Sequence, residues 1–154
     1  RKTQLNQNLM LFFTGFSRFS SDIQQTTEKA LVDKQKQLLE MLSLVDDAEK
    51  VLTSKTDLNE FGRLLDYTWK LKRGISNRIS TDSIDGLYAK GIAAGALGGK
   101  LLGAGGGGFL LFYVEPDKQE AVHKAMEELL YVPFEFENSG TRVIHYTPET
   151  YEKR

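Results

Sequence analysis

The chain has 154 residues, room for one domain with a real core but short for two. Hydrophobic residues make up 40% and charged residues 27%, and a net charge of −1 leaves no positive field to attract nucleic acid or an anionic membrane. No apolar run approaches the roughly 20 residues of a membrane helix, and the absence of cysteine excludes disulfides and thiolate chemistry and suggests a reducing, cytoplasmic setting.

The chain opens at Arg1 without methionine and without a signal-peptide pattern, so a piece of a longer protein is expected. Residues 9–16 are apolar and aromatic, too short for a helix, and are read as a buried strand ending at Thr14-Gly15. Ser20, Ser21 and Asp22 offer caps for a long helix. Its stripe is Ile23, Ala30, Leu31, Leu38, Met41, Leu42 and Val45, and it is expected to end or bend near Asp46-Asp47. Thr56-Asp57 begins another helix, with Glu60 placed as in a capping box and Leu58, Phe61 and Leu65 on one face. A third starts near Ser80-Thr81-Asp82, carries Ile84, Leu87 and Tyr88 inward, and should decay at Gly91 and Gly95.

Ten of the fourteen glycines then fall between Gly86 and Gly108. After them residues 109–114 form a plain buried strand, residues 118–130 a helix, and residues 134–136 and 142–146 two final strands around Asn138-Ser139-Gly140. The whole of 1–154 reads as one α+β domain with an antiparallel sheet.

The informative stretch is Gly103, Ala104, Gly105, Gly106, Gly107 and Gly108. Glycine admits positive φ and brings N–H groups close to a ligand, and successive amides aimed into one concavity attract phosphate oxygens. Gly103-x-Gly105-x-x-Gly108 matches a dinucleotide fingerprint by letter, but a strand follows where that fingerprint opens a helix. A P-loop fails too, because Leu101 follows Gly99-Lys100 and Ala94 replaces the first glycine. What remains is a glycine turn between two strands with a lysine just before it. Such a run also lets a helix pack close to a sheet, the structural alternative.

Residues 100–108 resemble the third signature motif of the GHMP kinases, except that Leu102 stands where that family usually has Ser or Thr. The wider run 95–108, Thr14-Gly15-Phe16-Ser17-Arg18 and Trp69-Lys70-Leu71-Lys72-Arg73 are similar to the subgroup of D-glycero-D-manno-heptose 7-phosphate kinases and their fucokinase-like relatives. The resemblance spans about residues 5–146. It implies a GHMP C-terminal domain, an antiparallel, ferredoxin-like (split βαβ) sheet with several helices packed on it, with ATP and Mg²⁺ held mainly by a glycine- and serine-rich loop in an N-terminal half. Any catalytic aspartate is implied there too, so no catalytic residue is assigned in this chain. The implied reaction moves the ATP γ-phosphate to the anomeric hydroxyl of heptose 7-phosphate. The implied partners are a small sugar phosphate and the chain's own N-terminal half. Homodimerisation stays open, as do other sugar kinases of the family and a non-catalytic metabolite-binding module. Alone, the chain is expected to be inactive. Valine at Gly105 or Gly107 in the complete enzyme is expected to cut turnover and leave the fold intact.

Lys70, Lys72, Arg73 and Arg78 make a basic patch at a helix end, where cations are favoured without any ligand. Arginine's fork also suits a phosphate. Candidate substrate ligands are Arg18, Lys72, Arg73 and Lys100, although Lys72 and Arg73 cannot both face as Lys70 does on a regular helix. Trp69 reads as core rather than as a stacking platform. His123 and His145 have no partner at metal-ligand spacing, so no metal site is assigned.

Overall fold

The computed structural model of the chain describes residues 1–15 and 34–147. A short helix unmarked in the sequence pattern, α1 (Lys2–Gln7), precedes β1 (Leu9–Phe13). Then come α2 (Gln35–Thr53), α3 (Asn59–Arg73), α4 (Asp82–Ala93), β2 (Gly98–Leu101) and β3 (Phe109–Tyr113). A 3-10 turn (Pro116–Lys118), α5 (Gln119–Ala125) and β4 (Leu130–Tyr131) complete the order.

The sheet order is β2-β3-β1-β4, and every neighbouring pair is antiparallel. The link from β1 to β2 carries α2, α3 and α4 and skips over β3; the link from β3 to β4 carries α5 and skips over β1. Two interleaved split βαβ units of this kind are the ferredoxin-like arrangement expected from the sequence.

Several helix ends differ from expectation for visible reasons. α2 passes through Asp46-Asp47 unbroken, because both carboxylates stay on its solvent side and Asp47 meets Lys50 at 3.1 Å. At the start of α3, the Asp57 carboxylate accepts the Asn59 amide at 3.1 Å, but Glu60 turns to Arg63 and leaves the capping box unclosed. α4 begins as expected, with the Thr81 hydroxyl accepting the Ile84 amide at 3.3 Å. Gly91 does not end it. A Cβ there would lie 2.5 Å from the Phe112 ring, so this glycine lets α4 rest on the sheet, and the helix stops two residues later.

The expected helix 118–130 also ends early, at Ala125, and Leu130 enters β4. Neither expected final strand forms. Val132 still donates to the Leu11 carbonyl at 2.8 Å, but Pro133 has no N–H with which to continue the ladder along β1. Val143 and Ile144 are left 80% and 89% exposed.

Alternation along the strands gives the sheet two faces. Met10, Phe12, Leu101, Leu110 and Phe112 point one way, into a core closed by Ile84, Leu87 and Tyr88 of α4, Val122 of α5 and Met126 just beyond it. Trp69, fully buried, joins this core and leaves its indole N–H without a partner among the described residues. Each such large apolar side chain contributes roughly 1.5–3 kcal/mol by burial. Leu9 and Tyr113 face the other way, against Leu5, Val51, Leu58 and Phe61. On this second face α3 lies directly on β2. A Cβ at Gly98 would sit 1.9 Å from the Gly62 carbonyl oxygen, and one at Gly62 would sit 2.8 Å from the Tyr113 ring. No side chain separates helix and strand at that point.

Candidate functional site

β2 and β3 form a hairpin, and the glycine run is its loop. The last rung is the Leu102 amide on the Phe109 carbonyl at 2.8 Å. Gly103, Gly105, Gly106 and Gly108 all have φ between 73° and 117°, a region closed at low cost to residues with a Cβ. No helix opens after the loop, which removes the dinucleotide reading on structural grounds.

Three fastenings hold the loop. The Gly106 amide donates to the Ile79 carbonyl at 2.9 Å. The Gly108 carbonyl accepts both the amide and the hydroxyl of Thr14, each at 2.9 Å. The Lys72 ammonium donates to the Gly103 carbonyl at 2.6 Å. Carbonyls are thus turned toward the protein at two of the three points. Of the amides from Gly103 to Gly108, only that of Gly106 has a protein acceptor among the described residues. Donors left over in this way are what an anion would need.

Gly105 requires a correction. A Cβ there would stand 2.7 Å from the Ile79 carbonyl oxygen and 2.8 Å from its Cα. Valine at Gly105 therefore displaces the Ile79 backbone as well as the loop, and is no fold-neutral probe.

The four candidate cations are distributed unequally. Lys72, in the last turn of α3, reaches the loop, and Lys100 lies close enough for its charge to be felt there. Desolvation foremost, and then the Lys100 charge, hold the Lys72 ammonium pKa below its ordinary value. Arg73 points elsewhere and pairs with Asp85, which also accepts the Ser80 hydroxyl. It lines a separate hollow with Lys70, Ser76, Asn77 and Thr81. Lys70 is held by Asp66 at 2.6 Å, and Asp66 also accepts the Tyr88 hydroxyl at 2.7 Å. Arg18 lies outside the described residues.

Two contributors escaped the sequence reading. Thr14 stands in a segment already singled out for its likeness, though its hydroxyl's role gave no sign. Ile79 acts through its backbone alone, which no side-chain pattern signals. His123 packs edge-on against Phe12 and beside Tyr131. Among the described residues no group of three His, Asp or Glu could hold a metal ion, and no helix is long and apolar enough to cross a membrane.

Comparison with known proteins gives the family. Residues 44–132 match the family model described as GHMP kinases C terminal. The D-glycero-alpha-D-manno-heptose 7-phosphate kinase of Campylobacter jejuni is 33% identical over 91% of this chain and 42% of its own length. The mevalonate kinase of Pyrococcus abyssi is 36% identical over 56% of the chain and 26% of its own. The chain thus spans less than half the length of the curated relatives it matches. In fold it is similar to mevalonate kinase of L. major, solved with R-mevalonate, at a TM-score of 0.67 and 24% identity over 78% of this chain and 37% of that one. A further mevalonate kinase structure gives a TM-score of 0.69 at 23% identity, over 84% of this chain and 40% of the other. The fastened glycine hairpin lies within the matched segment, and the chain belongs to the GHMP kinase family.

Proposed function

We propose that this chain is the C-terminal part of an ATP-dependent sugar kinase, and that its glycine hairpin faces the phosphoryl group in transit. The proposed acceptor is D-glycero-D-manno-heptose 7-phosphate, phosphorylated at the anomeric hydroxyl to the 1,7-bisphosphate. The observation that carries this reading is the loop itself, fastened by Ile79, Thr14 and Lys72, with every amide but that of Gly106 lacking a protein acceptor among the described residues. The likeness over nine-tenths of the chain to a heptose 7-phosphate kinase supports this choice of acceptor.

Phosphoryl transfer asks little covalent chemistry of a protein and much positioning and charge stabilisation. In this proposal the nucleotide brings the phosphoryl group, and Mg²⁺ and ATP are held mainly by the remainder of the protein. The amides of Gly103, Ala104, Gly105, Gly107 and Gly108, which have no protein acceptor among the described residues, are donors for a phosphate's oxygens. Because their donors are fixed before the ligand arrives, they meet growing negative charge without reorganising. Lys72 and Lys100 add positive charge at the same place, and Arg18 and Arg73 are further candidates for the acceptor.

The test is a panel of sugars and sugar phosphates with ATP and the full-length protein, read as ADP release. The expected result is turnover of heptose 7-phosphate well above that of galactose, fucose or mevalonate. Preference for another sugar would replace the acceptor and keep the kinase. Absence of ADP release with every acceptor would refute the kinase reading in favour of a non-catalytic metabolite-binding module.

A further inference from the structure

The outer side of α2 is unlike that of the other helices. Its inner side is accounted for: Leu38 and Met41 pack against the main core, and Val51 is buried in the same cluster as Leu58. Leu39, Leu42 and Val45 face away and are 59%, 66% and 60% exposed. Their i, i+3, i+6 spacing keeps them on one side of the helix, and no described residue covers them.

The charges of the same helix run against its dipole. Lys34 at the N-cap and Lys36 in the first turn put two positive charges where the helix end is itself positive, and that turn holds no acidic residue. Near the other end, which is negative, Asp46, Asp47 and Glu49 outnumber Lys50 by two. Asp47 meets Lys50, but Lys34, Lys36, Asp46 and Glu49 take part in no ion pair among the described residues. A single copy gains nothing from this polarity. Two copies laid antiparallel do, because the basic start of each α2 then lies beside the acidic end of the other. Leu42 falls midway between Lys36 and Glu49, so the apolar patch meets itself at the centre.

We infer that this side of α2 is the contact of a twofold-symmetric homodimer, in which the α2 helices of two copies pair antiparallel about Leu42. A parallel pair would set like charges side by side, and an uncharged apolar partner would leave both ends unanswered. The helix has 19 residues and is about 28 Å long. One pair of that length buries less surface than a permanent interface, so dissociation is expected in the micromolar range. The inference does not depend on the kinase reading.

The experiment is sedimentation equilibrium of the full-length protein, with this chain alongside, from about 1 to about 500 µM. Both should pass from monomer to dimer. Leu42→Glu should weaken the dimer at least about thirtyfold, since the residue enters the contact twice. Ile144→Ser, at a position 89% exposed elsewhere, should match wild type. Lys36→Glu and Glu49→Lys should each weaken it about tenfold. Each also improves the match of α2 to its own dipole, so the monomer should melt no lower than wild type. Combining the two exchanges opposite charges again and should recover most of the lost affinity, a rescue that a merely structural role would not give. Full-length protein that stays monomeric throughout overturns the dimer; if this chain alone associates, the face belongs to the remainder of the protein instead. A dimer that survives Leu42→Glu, or a double exchange no tighter than the single reversals, also overturns this contact.

Discussion

Alanine at Gly98 tests how the site is held in place. Its Cβ would lie 1.9 Å from the Gly62 carbonyl oxygen and 2.9 Å from the Asp66 amide nitrogen. An ordinary carbon–oxygen approach is about 3.3 Å, so the shortfall is about 1.4 Å. Both obstacles are backbone of α3 and cannot swing aside as a flexible side chain could. The helix must lift, and overpacking of this kind costs up to about 3 kcal/mol. For a chain of this size that is a fall of about 6–12 °C in melting temperature. The effect should travel. Gly62 to Lys72 is about 15 Å along the helix, and Gly98 to Gly103 about 16 Å along the strand, so the two contacts lie at opposite ends of one helix–strand pairing. Lifting one end loosens the ammonium of Lys72 from the Gly103 carbonyl. The assay is thermal unfolding by circular dichroism together with the Gly103 amide resonance. Gly86→Ala is the control: its Cβ meets nothing within 4 Å in α4, and it should stabilise by about 0.5–1 kcal/mol. A Gly98→Ala protein melting within about 2 °C of wild type would refute the reasoning.

Tyr88→Phe removes the hydroxyl that donates to Asp66 at 2.7 Å and should cost about 1 kcal/mol at neutral pH by thermal melt. Burial, and then Asp66, hold the Tyr88 hydroxyl well above its ordinary pKa of 10.0. The unfolded chain releases that proton first, so stability should fall as pH rises past about 10, less steeply in the variant. Tyr113, also raised mainly by burial, keeps part of the slope in both proteins. Asp85→Asn, which breaks the half-exposed pair with Arg73, should cost about 1 kcal/mol, and less in high salt, by melts across a salt series. Thr14→Val deletes the hydroxyl bond to the Gly108 carbonyl. About 1 kcal/mol of local stability would appear as roughly fivefold faster hydrogen exchange at Gly106.

Much of this molecule was legible in advance. The strands around the glycine run, the inward faces of α3 and α4, and the sheet type followed from periodicity, because apolar spacing and burial are the same fact seen twice. Thr81 as a cap was equally plain. Errors arose where a local signal met a tertiary one. Gly91 reads as a helix breaker in isolation, yet it is required by the ring of Phe112. The alternation after Phe134 resembles strands, but Pro133 cuts it off from the sheet. In the basic patch, composition could not say which cation would be neutralised: Asp85 takes Arg73, twelve residues away in sequence, and leaves Lys72 to the loop. Acceptors such as the Ile79 carbonyl carry no side-chain signature at all, so the loop's anchorage was visible only in three dimensions.

The two edges of the sheet have a bearing on self-association. β4 contributes only two residues and is followed within two positions by a proline, while β2 has four and runs straight into the glycine turn. Among the described residues, neither border therefore presents a long row of unpaired amides and carbonyls on which a strand from another molecule could grow. A strand added from another molecule would find little template at either described border, which limits edge-to-edge association of the sheet.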